Sequence, residues 1–201
     1  MTEPGAPPGR DAAWVVLETP LQASELETFC RDLERLYRVN PFLEFESWQQ
    51  GAADRFRAVF HNHSNGLRVE LEGQVRRESG RAWRVEFAAG AKQGTRFAIE
   101  PCPGGSRLTI TDEYRSDDHG TPALAAEVDR SLHAWGVALK TFLERDRRWG
   151  WLPGYRAFVH KVWLPMKPAA RRITFLVLVI GVADIALVAL GLAVYWIESG
   201  R

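Results

Sequence analysis

The sequence predicts an α+β protein in which a long C-terminal helix covers an antiparallel β-sheet, followed by one transmembrane helix. Three patterns in its 201 residues predict this arrangement. Between residues 42 and 115, runs that alternate apolar and polar side chains are separated by turn residues, which is typical of an antiparallel sheet with one apolar face. Residues 121–148 carry an apolar stripe at helical spacing, whereas residues 173–197 are apolar on every side.

The elements follow in a simple order. Residues 14–18 are rich in strand-forming side chains. Ser24 and Glu27 then predict a capping box that starts a single helical segment, which ends at Asn40-Pro41. Six strands are predicted next, at residues 42–49, 55–61, 67–75, 83–87, 95–100 and 107–115, with one of the turns at residues 92–94.

The long helix is predicted to begin with Thr121 as N-cap and Pro122 as its first residue. Because the apolar face of a sheet has to be covered, the apolar stripe of this helix is expected to lie on the sheet. The stripe consists of Leu124, Val128, Leu132, Trp135, Leu139 and Phe142.

A membrane anchor is predicted from residues 173–197, in which Asp184 is the sole ionisable residue. A helix of this length spans about 37 Å, enough for a hydrocarbon core of about 30 Å. Basic residues precede the segment more often than they follow it. The positive-inside rule therefore predicts that the N-terminal domain lies in the cytoplasm. The N-terminus lacks the apolar region of a secretory signal. We therefore expect a single-pass protein of a bacterial-type inner (plasma) membrane.

The predicted organisation is a lead-in at 1–12, a domain at 13–148, a connector at 149–170, a transmembrane helix at 171–197 and a tail at 198–201. A formal charge of +1 gives no reason to propose nucleic acid as a partner. The two cysteines, Cys30 and Cys102, predict neither a disulfide framework nor a zinc site. We predict no metal and no cofactor.

This element order, with the Asn40-Pro41 break and the long final helix, resembles the START-like superfamily, whose helix-grip fold is also called SRPBCC. The resemblance covers residues 13–148 and includes polyketide cyclase-like proteins. It implies a cavity between sheet and helix that binds a lipid, a quinone or a similar apolar molecule. The expected lining is Phe45, Phe60, Val69, Leu71, Trp83, Phe87, Phe97, Ile110, Tyr114, Leu132, Trp135 and Leu139. The same side chains could instead fill a solid core, and the sequence leaves both interpretations open.

No catalytic residue is predicted, because the sequence has no nucleophile elbow, P-loop, zinc-protease helix or dinucleotide-binding glycine pattern. His61 and His63 are interpreted as turn residues, since no further ligands lie nearby. Asp112 shares its alternation with Ile110 and Tyr114 and is expected to point inward. There it could act as a general acid or base, or simply be a hydrogen-bonded carboxylate.

The connector is interpreted as a short helix in the headgroup region of a bilayer, with basic side chains towards phosphates and aromatic side chains towards acyl chains. The alternative is packing of the connector against the domain. The predicted membrane-interface residues are Trp149, Trp151, Tyr155, Phe158, Trp163, Arg171 and Arg172.

The transmembrane helix has one face with small and polar members, at Gly181, Asp184, Val188 and Gly191. A charged side chain at the bilayer centre costs roughly 2.5–3.5 kcal/mol on insertion scales, which favours pairing with another helix. The partner would be a second copy or a subunit of a larger membrane complex. Three functions therefore stay open: a tethered domain that binds an apolar ligand, an accessory subunit, and a cyclase or hydratase acting on a membrane-soluble substrate.

Overall fold

The computed structural model describes residues 12–90, 92–114 and 122–199, without side chains for residues 122–130, 168, 169 and 172. Most of the predicted lead-in, residues 1–11, lies outside the described residues. So do the side chains of Leu124, Val128 and Arg172. The strands are β1 (Ala12–Thr19), β2 (Leu43–Gln50), β3 (Arg55–Asn62), β4 (Leu67–Arg77), β5 (Ala82–Phe87), β6 (Lys92–Cys102) and β7 (Gly105–Tyr114). The helices are α1 (Ala23–Arg31), α2 (Leu33–Arg38), α3 (Pro122–Trp149), α4 (Tyr155–Phe158), which continues into a π-helical turn (Val159–Trp163), and α5 (Pro168–Ser199).

The strands form one antiparallel sheet of seven strands in the order β1-β7-β6-β5-β4-β3-β2. Directly paired residues of neighbouring antiparallel strands share a face of the sheet. Phe97 pairs with both Trp83 and Ile110, and all three are buried, so this row identifies the inner face. The predicted fold class and element order are therefore confirmed.

Three local predictions were wrong. The capping box lies two residues earlier than predicted, at Gln22 and Glu25 rather than Ser24 and Glu27. The single helical segment is divided at Asp32, whose carboxylate accepts a hydrogen bond of 3.0 Å from the Arg35 N–H and so starts a second helix. The predicted turn at residues 92–94 belongs to β6. Gly94 is needed there because a Cβ at this position would lie 2.7 Å from the carbonyl oxygen of Val85 on the neighbouring strand.

The long helix α3 approaches the sheet most closely at β1. A Cβ on Gly136 would lie 2.6 Å from Cγ2 of Val15, so the absence of a side chain lets helix and strand meet. One residue earlier, Trp135 Nε1 donates a hydrogen bond of 3.1 Å to the carbonyl oxygen of Leu36. This bond ties α3 to α2 in the middle of the core. The core itself lies between the inner face of the sheet and the helices α1, α2 and α3.

The chain divides into two compact units, residues 1–165 and 166–201. The second unit is dominated by α5, whose apolar side chains are exposed. Among the described residues, this helix is long and apolar enough over Ile173–Ser199 to cross a membrane, with a mean hydropathy of 2.7. The first unit includes the connector as far as Pro165.

Candidate functional site

The inward-facing residues predicted to line a cavity come together on the inner face of the sheet and on α3, but they differ in exposure. Those in the centre are buried: Phe60, Trp83, Phe87, Phe97, Ile110, Leu132, Trp135 and Leu139. Those towards one end are only partly buried: Phe45, Val69, Leu71 and Tyr114. Whether these residues bind a ligand stays a prediction.

Aromatic rings fill the centre of this face. Phe97 stacks on Trp83 with ring centroids 5.2 Å apart and meets Trp135 edge-on at 6.1 Å. Tyr37 of α2, which the sequence analysis did not single out, stacks on Trp135 at 5.2 Å. These contacts lie in the range in which aromatic pairs stabilise a core. The centre of the space between the sheet and the helices is therefore filled by side chains.

A cleft of about 600 Å³ lies on the outward-facing side of the sheet, across the end of β2, the start of β3, the middle of β4 and the end of β5. Phe56 and Phe87 belong to this region, but their side chains point inward and are only 3% and 6% exposed. Cζ of the Phe56 ring lies 2.5 Å from the point that a Cβ on Gly73 would occupy. The ring of Phe56 therefore takes the space that a side chain at residue 73 would need. The remaining lining residues are Gln49, Gly51, Arg55, Arg57, Glu72, Gln74, Glu86 and Ala88.

Aromatic side chains of β2 lie on the inner face of the sheet. Trp48 stacks on Phe56 with centroids 4.5 Å apart and nearly parallel rings. Phe45 contacts both Trp48, at 5.7 Å, and Phe60, at 5.2 Å. Trp48 and Phe45 face inward yet remain partly exposed. Apolar surface on the inner face that the protein does not cover itself is typical of a ligand-binding cleft.

Asp112 points inward as predicted and is only 6% exposed. Its Oδ1 accepts a hydrogen bond of 2.8 Å from the Thr95 hydroxyl and lies 2.6 Å from the Lys92 ammonium. The Lys92 ammonium also lies 5.6 Å from the centroid of the Phe87 ring. These contacts stabilise a buried carboxylate and give no specific support to a role in proton transfer.

Tyr37 places a hydroxyl group beside Thr95 and Asp112. Burial raises the pKa of the Tyr37 phenol, and the nearby Asp112 carboxylate acts in the same direction, so the phenol stays protonated. The nearby Thr95 hydroxyl lowers this pKa. Among the described residues, the Tyr37 hydroxyl has no hydrogen-bonding partner of normal geometry.

The connector packs against the domain with one side and exposes the other. Val159 and Leu164 are buried. Trp151, Trp149 and Phe158 are exposed, with 74% of the Trp151 surface accessible. Tyr155 and Trp163 are half-buried. Packing against the domain accounts for the buried side of the connector, whereas contact of its exposed side with a bilayer stays a prediction.

A polar cluster lies under the connector. The Arg35 guanidinium is 3.8 Å from the Asp146 carboxylate, whose other neighbour is Arg156 at 4.0 Å. His160 faces this cluster and, with Arg35, lines a cavity of about 150 Å³. Burial, together with the positive charge of Arg35, lowers the pKa of the His160 imidazole.

The residues predicted for helix contact, Gly181, Asp184, Val188 and Gly191, all belong to α5. A Cβ built on Gly181 or Gly191 would have no described atom within 4 Å, apart from atoms of α5 itself. Arg171, predicted at the membrane interface, donates a hydrogen bond of 3.0 Å to the carbonyl oxygen of Met166. Within the described part of the chain, no cluster of three potential metal ligands occurs.

No protein-family model and no curated protein matches the sequence. Solved structures do match. A START superfamily protein from Mycobacterium smegmatis is 16% identical, with a TM-score of 0.57 over 67% of this chain and 98% of that one. The domain has a START-like fold.

Two further structures support this assignment of the fold. A protein from Thermus thermophilus is 14% identical with a TM-score of 0.53, and the match covers 67% of this chain and 97% of that one. The di-domain ARO/CYC protein BexL from the BE-7585A biosynthetic pathway is 16% identical with a TM-score of 0.54, and the match covers 68% of this chain and 47% of that one. At these identities the likeness concerns the fold of the START-like domain.

Sequence reasoning missed three residues that shape the site, Tyr37, Phe56 and Gly73. A signal for two of them was present. Phe56 alternates with Ala58 and Phe60, which places it on the inner face of β3, and Tyr37 follows Leu33 by one helical turn. Nothing in the sequence marks Gly73, whose role comes from the ring of Phe56 lying above it.

Proposed function

We propose that the START-like domain binds an apolar small molecule and presents it at a membrane surface to which the chain is tethered. The observation that carries this proposal is apolar surface on the inner face that the protein leaves partly exposed, at Phe45, Trp48, Val69 and Leu71. A lining of apolar and aromatic side chains is typical of sites that take a small apolar ligand.

The tether in this proposal is α5. Its apolar length is sufficient for a hydrocarbon core, and Tyr195 and Trp196 near its end are residue types enriched at membrane interfaces. The connector, which precedes α5 along the chain, exposes Trp149, Trp151 and Phe158. Large exposed aromatic side chains are costly in water and favourable at a lipid interface. The basic residues before α5 support a cytoplasmic domain at a plasma membrane.

The ligand is tested by native mass spectrometry and lipid extraction of the full chain purified in detergent. We expect a co-purified apolar molecule. Val69→Lys places a charge on the inner face of β4 and should abolish its retention. Glu70→Lys, at the adjacent outward-facing position, is the matched control and should retain it. If no apolar molecule accompanies the wild-type protein, or if Val69→Lys retains it equally, the proposal is wrong.

Topology is tested separately. In sealed inverted vesicles, added protease should digest the START-like domain, because the proposed orientation exposes it on the outside of such vesicles. Protection of the domain would contradict the cytoplasmic orientation and leave the ligand proposal unaffected.

A second candidate function is that of an accessory subunit whose α5 pairs with another transmembrane helix. The observation that favours it is the exposed Asp184 in the apolar segment 173–197 of α5, on the same face as Gly181 and Gly191. In lipid, small residues permit close helix contact and a buried carboxylic acid gains from a hydrogen-bonding partner. Asp184→Leu should abolish co-purification with a partner helix, whereas Ile185→Leu should not. Unchanged association would remove this candidate.

A further inference from the structure

The basic residues of this chain are concentrated in the connector and directly beside it. Residues 1–144 contain 17 Lys and Arg against 22 Asp and Glu, whereas residues 145–172 contain eight Lys and Arg and a single acidic residue, Asp146. The formal charge of +1 for the whole chain hides this separation. The segment before the apolar part of α5 is therefore strongly basic, and the domain that precedes it is acidic.

Asp146 does not cancel the charge of this basic segment. Its carboxylate lies 3.8 Å from the Arg35 guanidinium of α2 and 4.0 Å from that of Arg156, so it is shared with a cation from outside the segment. Arg148 and Lys161 are exposed and have no ion-pair partner among the described residues. Their charges therefore remain available to an external anion.

Apolar side chains are interleaved with these cations on the exposed surface. Trp149, Trp151 and Phe158 are all exposed, and the Arg148 guanidinium lies 5.6 Å from the centroid of the Trp149 ring. Lys161 directly precedes Val162, which is also exposed. Rings and aliphatic stems beside basic groups are typical of segments that insert into a lipid interface and keep their charges at the level of the headgroups.

A bilayer with anionic lipids complements this surface. Ile173, where the apolar segment of α5 begins, follows Trp163 by ten residues, so a bilayer that holds α5 is within reach of the connector along the chain. Negative headgroups would attract the basic connector and repel the acidic domain, whereas a neutral bilayer would do neither. The charge of the bilayer would therefore select the side of the domain that faces it.

We propose that the connector binds anionic lipid headgroups, with Arg148 and Lys161 at the phosphates and the rings of Trp149, Trp151 and Phe158 at the acyl chains, and that this contact turns the connector side of the domain towards the bilayer. This rests on the proposed function, because it takes α5 as the tether, and it names the lipid class. Each exposed basic side chain should raise the affinity for a surface rich in anionic lipid about fivefold.

The test uses the full chain in nanodiscs made of equal amounts of phosphatidylcholine and phosphatidylglycerol, in which one lipid or the other carries bromine on its acyl chains. Bromine quenches the fluorescence of a tryptophan that it contacts. The difference between wild type and Trp149→Phe/Trp151→Phe isolates the two connector tryptophans. Their quenching should be about threefold stronger when the phosphatidylglycerol carries the bromine, and this excess should shrink as salt is added.

Two double variants test which cations carry the preference. Arg148→Gln/Lys161→Gln removes two exposed charges of the connector and should abolish most of the excess quenching by brominated phosphatidylglycerol. Arg57→Gln/Arg68→Gln removes two exposed charges from β3 and β4, makes the same change in net charge and should leave the excess unchanged. Exchanging the brominated lipid tests the preference in the wild-type chain, without removing any cation.

The outcomes separate this inference from the proposed function. Equal quenching by the two brominated lipids, or an equal loss of preference in both double variants, would overturn the inference and leave the tether and the apolar ligand unaffected. Displacement of the connector from the anionic bilayer by a short DNA duplex would assign the surface to nucleic acid and would also overturn it. A chain that does not enter the nanodisc through α5 would contradict both proposals.

Discussion

The two halves of the sheet are covered differently. Over β1, β6 and β7, which we call the covered half, Phe97, Leu108 and Ile110 are completely buried and α3 meets β1 at Gly136. In β2, β3 and β4, which we call the open half, inward-facing side chains such as Trp48 and Val69 remain partly exposed.

The difference separates a part of the sheet that supplies stability from a part whose apolar surface is left partly uncovered. A sheet whose whole inner face is in contact with helices has no space for a ligand, whereas a sheet left uncovered throughout would not be stable. Here the covered half supplies the close-packed contacts. The open half keeps apolar surface available, at the cost of leaving it partly in water. Substitutions in the two halves should therefore have unequal effects.

The largest contrast is expected from truncating one inward-facing side chain in each half. Leu139→Ala, in α3 over the covered half, should lower the free energy of unfolding by about 2–5 kcal/mol, because it leaves a cavity among close-packed atoms. Val69→Ala in the open half should cost at most about 1 kcal/mol, since the removed methyl groups are already partly exposed. Urea unfolding of the full chain in detergent, followed by tryptophan fluorescence, measures both. Equal losses of unfolding free energy in the two variants would contradict the difference between the covered and open halves.

Gly136→Ala tests the closest contact of the covered half. Alanine favours a helix by about 1 kcal/mol relative to glycine, but its Cβ would overlap Val15 and overpacking costs about 1–3 kcal/mol. We expect a net loss of about 1 kcal/mol in the same unfolding experiment. The double variant Gly136→Ala/Val15→Ala should lose less free energy of unfolding than the sum of the losses of the two single variants. A stabilising Gly136→Ala would show that α3 is less constrained than its distance to β1 indicates.

In the open half, the turn between β2 and β3 is strained. Ala53 and Asp54 both have φ of 56°, a left-handed conformation that costs alanine about 1 kcal/mol and glycine nothing. Ala53→Gly should raise the free energy of unfolding by up to about 1 kcal/mol. Ala52→Gly, at the preceding residue, is the control and should be neutral or destabilising. Loss of stability in Ala53→Gly would mean that this turn is not strained.

The smallest effect is expected at His160, on the connector beside α2 and α3. It faces Arg35, Asp146, Asp32 and Arg156, and burial with the charge of Arg35 lowers the pKa of its imidazole. The unfolded chain therefore binds more protons than the folded one just below the ordinary pKa of about 6.5. Stability contributed by neutral His160 is full above that pH and is lost as the pH falls from there through the lowered pKa of the folded state.

His160→Gln removes the titrating group. The difference in thermal midpoint between wild type and His160→Gln should change between pH 8 and pH 5, with wild type losing more on acidification. Profiles that stay parallel over this range would contradict the lowered pKa.

Much of the fold was predictable because local chemistry decides it. Alternation placed Trp83, Val85 and Phe87 on one face, and all three are buried. Capping is harder to predict, because several residues compete for the position. The N–H of Gln22 bonds to Glu25 at 2.9 Å, two residues before the predicted pair of Ser24 and Glu27, and Ser24 lies inside α1. The site was predictable only as a face of the sheet.

The sequence by itself determined the order of the elements, the inner face of each strand and the apolar length of α5, because these depend on neighbours along the chain. Only the tertiary structure decided which inward-facing residues fill the core and which remain partly exposed. That choice depends on distances between segments far apart in sequence, such as Tyr37 to Trp135 or Phe56 to Gly73. Periodicity predicts the face on which a side chain lies, but it does not predict which residues contact that side chain.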